Sequence, residues 1–314
     1  MSEEFEVRRF EKSMSKEWNE FVAKSKNATF LFIRDYMDYH SDRFEDHSLL
    51  FFKNGKLRAL FPGCKIGDDL YSHAGLTYGG LLSDNSSTTE DTLIIFKLLA
   101  DYAKDKGFKR IHYKPVPHIY HKLPAEEDLY ALFRFGARLD VRNVSAAIDT
   151  SNMLKFRDIR KHGVKKALRA GIEIKESTDY KSFWDILSLN LNDKYGAKPV
   201  HSLEEMTALA KAFPENIKLF TAVKDEETLG GTVCFITPET VHTQYISASK
   251  EGKENGALDL LFAELINRFS FRCRYFDFGT SNEDGGRILN SSLIYQKEGF
   301  GARAVCYDSY VIDL

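Results

Sequence analysis

The sequence predicts an α/β protein with mixed sheets, built from two related domains joined by a basic helix. Three observations predict this. The chain has 314 residues, enough for two domains of ordinary size. Its strand-like and helix-like segments run through the same order twice. Finally, Tyr130–Arg138 (YALFRFGAR) and Tyr295–Arg303 (YQKEGFGAR) share four consecutive residues at an offset of 295 − 130 = 165. The same offset lays Ile111-His112-Tyr113 over Phe276-Asp277-Phe278. Such a period is far too long for a solenoid unit and points to a duplicated domain.

In the first half, residues 17–25 read as a short amphipathic helix. Residues 48–53 and 57–61 read as two strands around Asn54-Gly55, a strong hairpin signal. A strand follows near 70–73. Residues 88–106 carry Leu93, Phe96, Leu99, Tyr102 and Ala103 at helical spacing and stop at Gly107, a C-cap residue. A strand (109–113), a helix (127–135) and a strand (138–148) complete the half. The second half repeats this order: strands at 218–223, 230–235 and 241–247, a helix at 257–271, a strand at 275–278, a helix at 289–298 and a strand at 304–312. The expected division is 1–150, a linker helix within 151–171, and 172–314. The linker carries Lys155, Arg157, Arg160, Lys161, Lys165, Lys166 and Arg169, with Gly163 in its middle and Gly171 at its end.

Composition excludes several classes. A net charge of −2 gives no global field for nucleic acid. The four cysteines form no C-x-x-C pair, and no histidine cluster has metal-ligand spacing, so no metal is expected. The N-terminus is acidic and lacks an apolar h-region, and no apolar run approaches the ~20 residues of a membrane span. The expectation is a cytoplasmic protein with no membrane span.

Several segments, taken together, resemble the Fem-type branch of the GNAT superfamily. Tyr275-Phe276-Asp277-Phe278-Gly279 is similar to its F-D-F-G segment, and Gln296-Lys297-Glu298-Gly299-Phe300-Gly301 to its F-K-x-G-F-G segment. Val164–Gly171 (VKKALRAG) resembles its basic I-R-K-A-x-K-x-G element. Position 296 departs from the pattern, with Gln in place of Phe. The resemblance implies two tandem GNAT-like domains, the first degenerate and on the acceptor side, the second carrying the chemistry. True Fem ligases move amino acids from aminoacyl-tRNA to a peptidoglycan precursor. Related bacterial double-GNAT proteins are catalogued as acetyltransferases, and this chain looks closer to them.

The implied activity is transfer of an acyl group from acyl-CoA (acetyl-CoA) to an amine on a small or cell-wall-related acceptor. The alternatives are a Fem-like aminoacyl-tRNA ligase and a non-catalytic binding protein on a GNAT scaffold. In the family, splayed strands and a helix N-terminus hold the donor, where free amides and the dipole favour phosphate. Here that places the donor site at Ser247, Ala248, Ser249, Gly252, Lys253, Gly256 and Ala257, with Asn282 nearby. The signature [QR]-x-x-G-x-[GA] is imperfect, since Lys253 and Leu258 replace two of its residues.

The resemblance places Lys297 against the reacting carbonyl, where a cation would stabilise the oxyanion. A lysine just before Gly299 is also what a helix C-terminus attracts by its dipole. Leu132 stands at this position in the first half, so chemistry is expected in the second half only. Tyr245 could serve the leaving group, and Glu283 or Asp284 could accept the amine proton. The loop holding these two, and Arg287, also reads as a solvated cap. On the acceptor side, Arg34, His73 and Tyr78 are the expected residues, the last two in a run rich in glycine (Gly75, Gly79, Gly80). The basic linker helix reads either as a phosphate contact or as a solvated surface.

Overall fold

The computed structural model describes residues 4–314. The chain divides into two compact units, one comprising the chain through Asn143 with Asp284–Arg287 and Cys306–Leu314, the other Val144–Glu283 with Ile288–Val305.

The first unit begins with β1 (Phe5–Arg9), α1 (Ser15–Lys24), α2 (Arg34–Met37) and β2 (Glu45–Asp46). The hairpin β3 (Leu49–Lys53) and β4 (Lys56–Phe61) turns at Asn54-Gly55, both with positive φ (50° and 72°), as a tight primed turn requires. Then come β5 (Cys64–Ile66), β6 (Asp69–Tyr71), β7 (Leu82–Ser83), α3 (Thr89–Asp105), β8 (Arg110–Tyr113), α4 (Glu127–Arg134) and the start of β9 (Arg138–Asp149). Thr88 and Asp91 form a reciprocal capping box at the start of α3. β1-β3-β4-β7 form one sheet, and β8-β6-β5-β2 are consecutive in another. Leu49, Phe51, Phe61 and Tyr113 of the strands share a core with Phe96 and Leu99 of α3.

The second unit contains α5 (Asp158–Arg169), β10 (Glu173–Ser177), α6 (Tyr180–Tyr195), α7 (Leu203–Ala212), β11 (Ile217–Lys224), β12 (Glu227–Ile236), β13 (Thr240–Ala248), α8 (Lys250–Asn255) and α9 (Ala257–Phe269). It continues with β14 (Tyr275–Thr280), β15 (Asn282–Glu283), β16 (Ile288–Leu289), α10 (Ser291–Glu298) and the first residues of β17 (Arg303–Asp313). Its sheet order is β10-β11-β12-β13-β14-β9, with β13 and β14 parallel and the other pairs antiparallel. Phe262, Phe276, Phe278 and Phe300 form an aromatic core, with ring centroids 5.0–6.3 Å apart.

The repeat is visible in these elements. Arg138 begins β9 and Arg303 begins β17, an offset of 303 − 138 = 165. Each unit is closed by the last strand of the other half of the chain. In the first unit, β8 pairs with β17 (Ile111↔Ile312). In the second, β14 pairs with β9 (Phe276↔Ile148).

Two expectations change. The helix expected at 289–298 starts at Ser291, because Asn290 caps it through Leu293 N, and Leu289 pairs in β16. The basic helix α5 is not solvated all round. Its Arg160, Gly163, Val164 and Ala167 face turns inward, and Gly163 meets Gly256 and Asp259 at the start of α9.

Candidate functional site

The parallel pairing of β13 and β14 ends at His242↔Asp277, although β13 runs on to Ala248 and β14 to Thr280. Beyond that pair the strands part. A register shift against β12 near Gln244 bends β13 at the same place. At the parting lies a cavity of about 340 Å3. Its apolar wall includes Leu258, Phe262, Phe278 and Phe300. Four cations also line it, Arg160, Lys194, Lys253 and Lys297, and among the described residues no carboxylate does. A mostly apolar cavity with a few convergent polar groups is the usual form of a ligand site.

Lys297 is buried in this wall, 6% exposed. Its Nζ donates to the carbonyls of Gly279 and Thr280 at the end of β14, both at 2.8 Å. The ammonium therefore does not serve the C-terminus of its own helix, as the dipole reading would have it. An ammonium has three donors, so one remains for a ligand in the cavity. Burial brings Lys297 down to about 8, opposed by the Asp277 carboxylate.

Of the residues expected at the donor site, Ser247, Ala248 and Lys253 share this cavity with the expected catalytic residue Lys297. The others have local duties. Ser249 caps α8 by accepting from Gly252 N at 3.1 Å. A Cβ on Gly252 would lie 2.2 Å from the Leu229 carbonyl oxygen, so this glycine answers a packing demand. Gly256 (φ 75°) separates α8 from α9, which starts at Ala257 as expected, and a Cβ on it would lie 2.5 Å from the Gly163 carbonyl oxygen. Ala257 is fully buried among Ala167, Ala222 and Leu260. The Asn282 side chain accepts from Val144 N at 2.6 Å.

The amides expected to cradle a pyrophosphate mostly bond within the protein. Gly252 N donates to Ser249 Oγ, Lys253 N to Ser249 O and Gly256 N to Lys253 O. Asp259, in the first turn of α9, pairs with Arg160 at 2.6 Å, and burial raises its pKa.

Tyr245 is on the same strand, but its hydroxyl meets His201 Nδ1 at 2.6 Å, and burial raises its pKa. Glu283 is exposed and accepts from Asn290 Nδ2 at 3.0 Å. Asp284 and Arg287 are exposed at the turn between β15 and β16.

The acceptor-side expectations fall in the first unit, and all three are buried. The Arg34 guanidinium lies 3.9 Å over the Phe10 ring and pairs with Asp38 and Asp46. His73 stacks on His40 with centroids 5.2 Å apart, and burial pushes it down to about 3. The Tyr78 hydroxyl donates to Thr29 Oγ1 at 3.2 Å. The glycines of this loop are there for packing: a Cβ on Gly79 would strike the Ser72 carbonyl, and one on Gly75 the His40 ring.

Sequence reasoning missed Asn190 of α6. Its Nδ2 donates to Ser247 Oγ at 2.8 Å and Ala248 O at 2.9 Å, while its Oδ1 accepts from Lys253 Nζ at 2.6 Å. It also missed the pairing of His242 with Asp277, at 2.7 Å.

Residues 155–284 match the family described as Acetyltransferase (GNAT) domain. Among solved structures, the chain is similar to FemX, with a TM-score of 0.69 over 98% of this chain and 97% of that one, at 11% identity. The chain folds as a Fem-type double GNAT. L-PGS from Bacillus licheniformis gives a TM-score of 0.56 at 13% identity, over 85% of this chain and 83% of that one. A tandem GNAT protein from the clavulanic acid biosynthesis pathway gives 0.53 at 11% identity, over 98% of its own length and 99% of this chain. No curated protein matches the sequence. The double-GNAT chain has, among its described residues, no helix long and apolar enough to cross a membrane.

Proposed function

We propose that this chain is an N-acyltransferase working at the cavity between β13 and β14. One observation carries the reading: the strands part at His242↔Asp277, and a buried ammonium, Lys297, lines the gap they leave. An activated carbonyl in that gap would meet a fixed cation where the oxyanion develops, which is how electrostatic preorganisation lowers a barrier. Two of the three ammonium donors are held by backbone carbonyls, so the charge is already oriented before substrate arrives. The acceptor is an amine on a small or cell-wall-related molecule.

For an acyl-CoA donor, the apolar wall would take the acyl and pantetheine portion. Lys253, Lys194 and Arg160 would face its phosphates. A second reading, an aminoacyl-tRNA donor, is favoured by the internal bonding of the amides around Gly256. Such a donor needs no pyrophosphate cradle. A thermal-shift comparison of acetyl-CoA, longer acyl-CoAs and charged tRNA tests both, since a ligand that binds the native state raises the Tm. A rise with an acyl-CoA supports the first reading, and a rise with charged tRNA alone the second. No rise with any of them would leave a non-catalytic scaffold.

A further inference from the structure

We infer that His242 is the general base of the proposed acyl transfer, positioned by Asp277. The inference rests on the reading of the cavity as an acyl-transfer site. The two residues are Cα partners in the last pair before the strands part, so both side chains emerge on the same face. His242 Nδ1 lies 2.7 Å from Asp277 Oδ2.

Asp277 is fully buried. Its other oxygen accepts from Ser145 Oγ and from Gly279 N. A carboxylate only accepts, so the shared proton sits on His242 Nδ1. A ring whose one N–H is at Nδ1 has its lone pair on Nε2. Among the described residues Nε2 has no hydrogen-bond partner, and it is not sealed from solvent. The His242 side chain is 12% exposed and the Asp277 side chain 0%.

The ring is also placed against Lys297. A Cβ on Gly279 would come 3.1 Å from His242 Cε1 and 3.8 Å from Nε2, so the imidazole edge lies on the Gly279 Cα. The carbonyl of the same glycine accepts from Lys297 Nζ at 2.8 Å. One residue, Gly279, thus separates the His242 imidazole from Lys297. Gly279 (φ 74°) has no side chain to press on the His242 ring. The residue across from His242 on β12 is Phe235, which carries no charge.

The step balances as follows. The amine nitrogen attacks the acyl carbonyl of a thioester or ester, forming the C–N bond. The carbonyl π electrons move to oxygen, facing Lys297. His242 Nε2 takes the proton from the now cationic nitrogen, and Asp277 stabilises the imidazolium. Collapse breaks the C–S or C–O bond. The leaving group departs as a thiolate or receives the proton from His242.

The test uses full-length protein and the donor found by thermal shift, with a primary amine as acceptor. His242→Gln should bind donor with an unchanged Tm shift and lose turnover by roughly 10²–10⁴-fold, the usual contribution of a general base. Added imidazole should restore part of the rate of His242→Ala, a result that a purely structural role would not produce. Asp277→Asn should lower kcat with little change in KM. Wild-type turnover by His242→Gln, or no rescue of His242→Ala by imidazole, overturns the assignment while leaving the acyl-transfer reading intact. If the wild type binds no acyl donor, both readings fall.

Discussion

Gly163 of α5 and Gly256 at the start of α9 meet backbone to backbone: a Cβ on Gly256 would lie 2.5 Å from the Gly163 carbonyl oxygen. Gly256 is also left-handed, with φ at 75°. Gly256→Ala should therefore destabilise the protein by about 1–3 kcal/mol, through backbone strain plus overpacking. Gly163→Ala should also lower the Tm, although alanine favours helix by about 1 kcal/mol, because its Cβ would displace the Asp259 side chain. Thermal melts of both variants check this. An unchanged Tm in both would mean that α5 is not held against α9.

Lys297 should matter to turnover more than to folding. Lys297→Met keeps the length and removes the charge, so kcat should fall by roughly 10²–10³, typical of losing one oxyanion donor. The wild-type rate should also decline as the pH rises through about 8, where Lys297 gives up its proton. That decline should be absent from the residual rate of Lys297→Met. Unchanged turnover in the variant would reduce Lys297 to a structural tie between α10 and β14.

Lys253 lines the cavity and is held by Asn190, and it should bind donor phosphate by charge rather than by shape. Lys253→Ala should weaken donor binding in the thermal-shift assay, and the difference from wild type should shrink in high salt. Equal shifts at low salt would place the phosphates elsewhere.

Acid should destabilise the first unit through its buried histidines. Burial lowers His40, and it brings His47 to about 4, His73 to about 3 and His121 to about 4. In each, the folded pKa lies below the unfolded one, so the unfolded chain binds more protons between the two values. Stability is then present above the ordinary histidine value and is lost as the pH falls through the folded values. Asp128 opposes this. Burial raises it to about 7, so its contribution is present at low pH and is lost as the pH rises through that value. The Tm should drop from about pH 6.5 to about pH 4, and more steeply in Asp128→Asn than in the wild type. Melts across that range would show it.

Local chemistry wrote much of the fold into the sequence. The Asn54-Gly55 turn, the stop at Gly107 and the common offset of Arg138 and Arg303 each depend on neighbouring residues, and each is found in place. What escaped depends on contacts distant in sequence. His242 and Asp277 look like unrelated strand residues until two parallel strands bring them level, 35 positions apart. Asn190 comes from α6, which starts 180 − 15 = 165 residues after α1 but has no motif to mark it. The glycines of the 71–80 loop misled for the same reason. A glycine that makes room for a ligand and one that makes room for a neighbouring carbonyl look alike in sequence.

The exchanged closing strands bear on how this protein is made. A ribosome that has released only residues 1–150 has delivered neither unit. The first still lacks the strand that pairs with β8, and that strand follows β10 through β16 in the chain. Co-translational folding by halves is thus closed to this architecture. A cut near the middle should give two insoluble fragments, each with an open sheet edge. Mixing the two fragments during refolding is the condition under which soluble protein should return.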